Sequence, residues 1–109
     1  VDVYTNPEKF NLEMVGEVSW EAPCYSFNLT VVLRDSHGVF YWASDSGCSC
    51  PSPFEYVGLP DLNSGSKWDV LQVLQERLGD KPDEDEPEYD DYKYAENQVS
   101  RLCEILFSY

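Results

Sequence analysis

From Phe10 to Trp20 apolar and polar residues alternate: Phe10, Leu12, Met14, Gly16, Val18 and Trp20 share one parity, and Asn11, Glu13, Val15, Glu17 and Ser19 the other. A period of two is that of a half-buried strand, either continuous or made of two pieces joined at Gly16, where a bulge fits. Pro23 interrupts the pattern, because it supplies no ladder donor and pushes Ala22 toward extended backbone. Alternation resumes in "SFNLTVVLRD", with Phe27, Leu29, Val31 and Leu33 on one side. Asp35 to Gly38 supplies turn chemistry, with Gly38 at the position that needs positive φ, and "VFYWAS" returns as a β-branched and aromatic strand. A four-residue turn predicts that paired positions sum to about 73.

The period then changes. "SKWDVLQVLQERLG" reads as a helix of about four turns, opened by a capping box of Ser66 with Asp69 and stopped at Gly79. Trp68, Leu71, Leu74 and Leu78 form its expected apolar stripe. In the last segment Tyr92, Ala95, Val99, Leu102 and Leu106 recur at steps of three and four, with Ile105 and Tyr109 widening the stripe enough to lie on a sheet. Between the helices, Asp80 to Tyr92 holds eight acids, one lysine and two prolines. That composition predicts an exposed connection over residues 80–92. The predicted fold class is α+β, a single domain over residues 1–109. Its antiparallel meander has three to four strands and is covered on one face by two C-terminal helices.

Composition narrows the function classes. A chain of 109 residues, 42% hydrophobic, is long enough to bury its own core. No stretch approaches the ~20 apolar residues of a membrane span, so none is expected, and the opening residues "VDVYTNPEKF" do not have the basic and then apolar regions of a leader, which leaves open one already removed. Twenty-one acids against seven bases give a formal charge of −14, which opposes binding to nucleic acid or to an anionic membrane. A positively charged protein is the better electrostatic match. Four cysteines beside this many large apolar residues do not read as a disulfide scaffold, and a reducing compartment is expected.

Half of the cysteines stand in one Cys-x-Cys, within "WASDSGCSCPSPFEYV" at Trp42 to Val57. In the expected hairpin register Cys24 falls opposite Ser49, beside Cys48 and Cys50. His37, the one histidine, sits in the turn about 30 Å away and cannot share a metal with them. A structural zinc site wants four well-spaced ligands. Here Cys24, Cys48 and Cys50 are the candidates, with Cys103 as the remaining fourth, so no metal and no other cofactor is expected. Cys24 and Cys103 read as small core residues. A catalytic dithiol is disfavoured as well, since Pro51 and Pro53 keep the chain extended where a helix N-terminus would be needed to stabilise a thiolate. Asp35, Ser36 and His37 have the residue types of a hydrolytic triad, but three neighbours in one turn cannot form its relay. The acidic run lacks the glycine and ligand order of a calcium loop. No catalytic residue is predicted.

The segment "YWASDSGCSCPSPFEYV" resembles a signature of small uncharacterised proteins encoded by phages of actinobacteria, in which a strand runs into Asp-Ser-Gly-Cys-Ser-Cys-Pro-x-Pro-Phe-Glu. The resemblance implies a bacterial host cytoplasm and carries no catalytic residue across. Physically the segment reads as a corner: Asp45 and Ser46 bond backbone amides, Gly47 takes a left-handed turn, the prolines fix the exit and Phe54 anchors on the core. The alternative is a recognition surface, with Asp45, Ser46, Gly47, Cys48, Cys50, Pro51, Phe54 and Glu55 as its contact residues. The functional expectation is a non-enzymatic binding protein, monomeric or a small homo-oligomer, that acts on a host or defence protein. Two other classes stand beside it: an acidic DNA mimic, and a small thiol or metal protein centred on Cys24, Cys48 and Cys50.

Overall fold

The computed structural model describes residues 2–22, 26–48, 54–55 and 57–109, with Cys48 described by its backbone alone. After a 3-10 turn at Pro7–Phe10 come four strands: β1 (Leu12–Ser19), β2 (Ser26–Asp35), β3 (Phe40–Cys48) and the short β4 (Asn63–Gly65). They form one antiparallel sheet in the order β1-β2-β3-β4. Two helices follow, α1 (Lys67–Leu78) and α2 (Tyr89–Phe107). The fold is α+β, as the change of hydrophobic period from two to 3.6 requires.

β1 is not one uninterrupted alternation. Met14 pairs with Leu33 and Gly16 with Val32, so Val15 is an extra residue and the register shifts there. Side chains therefore change faces: Leu12 packs with Val31 and Leu33, whereas Val18 and Trp20 pack with Val32 under the helices. Gly16 sits where α2 comes closest, and a Cβ built on it would lie 2.7 Å from Leu102 Cδ1. The outer end of β1 is closed by a side chain. Gln98 accepts from Ser19 N (2.8 Å) and donates to Ser19 O (2.8 Å), taking the place of the next strand's peptide group.

The β2–β3 hairpin is one residue longer in its turn than expected. Arg34 pairs with Phe40, so paired positions sum to 74 rather than about 73. Asp35 causes the difference: its Oδ1 accepts from His37 N (2.9 Å) and Val39 N (3.0 Å), while its backbone N–H donates to Val39 O. Gly38 has φ +86° inside this loop, as its position demanded. The strand also runs on through Asp45, Ser46, Gly47 and Cys48, residues expected to begin the corner.

Both faces of the sheet are buried. On one, Val70 and Leu74 of α1 and Ala95, Val99, Leu102 and Leu106 of α2 cover Val18, Trp20, Val32 and Phe40. Thr30, polar and buried, is satisfied by Trp20 Nε1 (2.8 Å) and Ser44 Oγ (2.6 Å). On the other face the N-terminal segment and the chain after β3 contribute Val3 and Phe54 against Leu12, Val31, Leu33 and Ala43. Leu29, Val31 and Leu33, which share one parity of β2, mark the face away from the helices. α1 opens with the expected capping box, in which Ser66 and Asp69 exchange hydrogen bonds, and Gly79 closes it. Its buried stripe is Val70 and Leu74 with Leu71 and Leu78 beside them; Trp68, placed in the stripe by spacing, is 60% exposed. Ile105 lies at the surface, 42% exposed, whereas Tyr109, just past the end of α2, meets the sheet as expected: its ring packs edge-on against Phe40 of β3 at 5.6 Å between centroids and lies 4.8 Å from the Arg34 guanidinium.

Candidate functional site

The candidate segment is built on Asp45, which lies opposite Leu29 on the face away from the helices. Its Oδ1 accepts from Ser46 N (2.9 Å), and its Oδ2 reaches nine residues on to accept from Phe54 N (2.8 Å). Phe54 adopts a left-handed conformation, φ +60°, which a bulky residue takes only where its surroundings compensate. Here the compensation is burial: Phe54 is 1% exposed, and its ring meets Tyr4 at 5.3 Å between centroids, tilted by 37°. Phe54 O then accepts from Val57 N (3.0 Å), and Val57 O from Val3 N (3.1 Å). Asp45, Phe54, Val57 and Val3 thus link the chain after β3 to the N-terminal segment. The Tyr4 hydroxyl is pushed up to about 12, first by burial and then by its bond to Glu17.

Other candidate residues are distributed differently from the sequence expectation. Ser46 is exposed and Gly47 half-buried, both in β3, and Gly47 is not the left-handed residue; that conformation falls at Phe54. Glu55 is exposed. Cys50 and Pro51 lie outside the described residues, as do Cys24 and Ser49, so the expected convergence of Cys24 with Cys48 and Cys50 falls there too. Among the described residues no three His, Cys, Asp or Glu side chains converge as metal ligands. Cys103 is half-buried against the helix-side core, 4.0 Å from Gln75 Nε2, and burial pushes its thiol up, which keeps it protonated and weakly nucleophilic. At the turn, the Asp35 carboxylate accepts from backbone amides and from Tyr41 Oη (3.0 Å), while Ser36 and His37 are exposed. Its carboxyl is held down, chiefly by the Val39 amide.

The acidic connection is shorter and more regular than expected. α2 already begins at Tyr89, so Tyr89 to Tyr92 are helical, and Asp90 and Asp91 occupy the first turn, where the helix dipole favours negative charge. Before it, Glu86 N donates to Asp83 O (3.0 Å) and Tyr89 N to Glu86 O (3.1 Å). Asp91 reaches back to the connection after β1 and accepts from Ala22 N (2.8 Å). Among the described residues the ion pairs are Arg34 with Glu13 (3.7 Å) and Lys93 with Glu96 (2.6 Å). None of the eight acids from Asp80 to Asp91 is paired with a base there. Glu86 is pushed up, first by its hydrogen bond to the Glu88 carboxyl.

Sequence reading missed the side chains that tie these parts together: Gln98 to Ser19, Asp91 to Ala22, and Arg77, whose Nη2 donates to Asn28 Oδ1 at 2.7 Å. Each joins residues far apart in the chain, and no local pattern marks them.

The architecture defines the class: a small α+β domain with a two-sided sheet and a highly acidic helix–helix connection. Residues 1–107 match the family described as a domain of unknown function, DUF7574, and the chain belongs to that family. No curated protein and no solved structure shows significant similarity to it. No helix among the described residues is long and apolar enough to cross a membrane.

Proposed function

We propose that this chain is a non-enzymatic binding protein that engages a basic surface on a protein partner through its helix–helix connection. The observation that carries the reading is the set of eight acids from Asp80 to Asp91, held on hydrogen-bonded turns and the first turn of α2, with no base paired to them among the described residues. Like charges crowded in this way repel one another and weaken the compact state. A partner that brings lysines and arginines removes that repulsion and gains charge-assisted hydrogen bonds. The resemblance of Tyr41 to Val57 to phage-encoded proteins makes the partner a host or defence protein in a bacterial cytoplasm.

A DNA-mimic reading gains from the same geometry, because carboxylates set on turns and a helix end are better placed to imitate phosphates than a trailing tail. The immobilised chain, exposed to host lysate, tests both. Protein retained at low salt and released at about 1 M, where the screening length falls to about 3 Å, supports an electrostatic interface. A mimic requires in addition that duplex DNA elute the retained protein at low salt. Absence of any salt-sensitive partner defeats the proposal.

A further inference from the structure

At the acidic end of the molecule a cavity of about 470 Å³ opens between the C-terminus of α1, the connection and the start of α2. Its size falls within the roughly 300–1,000 Å³ of small-ligand sites. Trp20, Tyr92 and Ala95 form an aromatic and apolar floor, and Asp80, Glu86, Glu88 and Asp91 stand around it. Arg77 and Lys81 are the bases on the same rim, so it carries a formal excess of two negative charges.

The chemistry of the lining selects a class of ligand. Among the described residues no three carboxylates converge as they would around a divalent ion. Negative charge spread around a flat aromatic floor suits an organic cation better than a metal. The cavity already holds one: the Arg77 guanidinium lies 5.1 Å from the Trp20 ring centroid while bonding Asn28 Oδ1. A planar guanidinium can stack on an aromatic face and fork to carboxylate oxygens at once, which an ammonium cannot. Glu86 and Glu88 line the cavity and are unpaired with any base among the described residues, which leaves their carboxylates as acceptors.

We infer that this cavity is a receptor for an arginine side chain on the partner's surface, its guanidinium lying along Tyr92 and bonding Glu86 and Glu88. The inference rests on the binding reading above and names the contact through which that reading operates.

Titration of the isotope-labelled chain with N-acetyl-arginine amide, followed by NMR, tests it. The Trp20 indole N–H and the amides of Tyr92 and Ala95 should shift saturably, and the uncharged isostere N-acetyl-citrulline amide should leave them in place. Glu86→Gln with Glu88→Gln should weaken binding about tenfold. Asp83→Asn with Glu84→Gln, which removes the same charge beside the cavity, should change it less than about twofold. Shifts scattered over the acidic surface, equal effects of the two double variants, or equal response to citrulline would overturn the assignment. The two readings fail separately. Salt-sensitive capture of a partner that survives Glu86→Gln with Glu88→Gln sinks the cavity and leaves the binding protein standing, whereas saturable arginine binding without any captured partner does the reverse.

Discussion

Replacing Phe54 with alanine tests whether the chain after β3 is anchored from within. The ring is 1% exposed and packs among Val3, Leu12, Val31, Leu33 and Ala43, with Tyr4 alongside. Truncation of a buried phenylalanine costs about 3–5 kcal/mol, counting lost transfer energy and the residual cavity. We expect about 3 kcal/mol here, because this layer is made of irregular segments that can partly collapse into the space. For a domain of this size the loss lowers Tm by on the order of 10–20 °C. A second substitution separates ring from backbone. Phe54 has φ +60°, where any residue with a Cβ is strained by roughly 1–2 kcal/mol and glycine is not. Phe54→Gly should therefore be the less damaging of the two by about 1 kcal/mol, the reverse of the usual order in regular structure. Urea unfolding followed by circular dichroism at constant m-value gives both differences. A Phe54→Ala loss under about 1 kcal/mol would refute the anchor. Glycine destabilising more than alanine would refute the left-handed conformation and, with it, the part Asp45 plays in holding the Phe54 amide.

Gly16→Ala should cost about 1–2 kcal/mol, since its Cβ would lie 2.7 Å from Leu102 Cδ1; in a double-mutant cycle with Leu102→Ala the two losses should be less than additive, and full additivity would show that they do not touch. Asp35 is held below the ordinary carboxylate range, so its contribution is full at neutral pH and disappears as pH falls through its lowered folded-state value. Tm profiles of the wild type and Asp35→Asn should accordingly be separated at pH 7 and converge well below pH ~4, and a gap that widens on acidification would contradict this. Changing Asp83, Glu84, Asp85 and Glu86 to serine should leave Tm unchanged or raise it, because these exposed acids have no paired base among the described residues; a large fall in Tm would mean that the acids hold the fold. Ser66→Ala should cost about 1 kcal/mol by removing the N-cap of α1, measured by the same urea titration.

The local elements were legible because their causes are local. Ser66, Asp69 and Gly79 bound α1 through hydrogen bonds made within a few residues, and Gly38 marks the β2–β3 turn through its own φ. The stripe Ala95, Val99, Leu102 and Leu106 identifies the buried side of α2 by spacing alone. What tertiary structure decided lies where one residue's place depends on a distant one. A parity pattern from Phe10 to Trp20 cannot show that Val15 is an extra residue, because only the pairing of Met14 with Leu33 and of Gly16 with Val32 reveals the shift that turns Leu12 and Val18 to opposite faces. Spacing put Trp68 in a buried stripe, but burial depends on which side of α1 meets the sheet, and Val70 and Leu74 take that side. At the candidate sites the same division holds. Asp45 was readable as a residue that binds backbone amides, yet its partner, the amide of Phe54, is set by how the following chain folds back over the sheet. The acids from Asp80 to Asp91 were plain in the sequence, while the cavity that Asp80, Glu86, Glu88 and Asp91 line also takes in Trp20 and Tyr92, 72 positions apart in the chain. Side-chain period and capping act over a few residues and are written locally; packing selects among the faces they create, and it acts between residues that only the folded chain brings together.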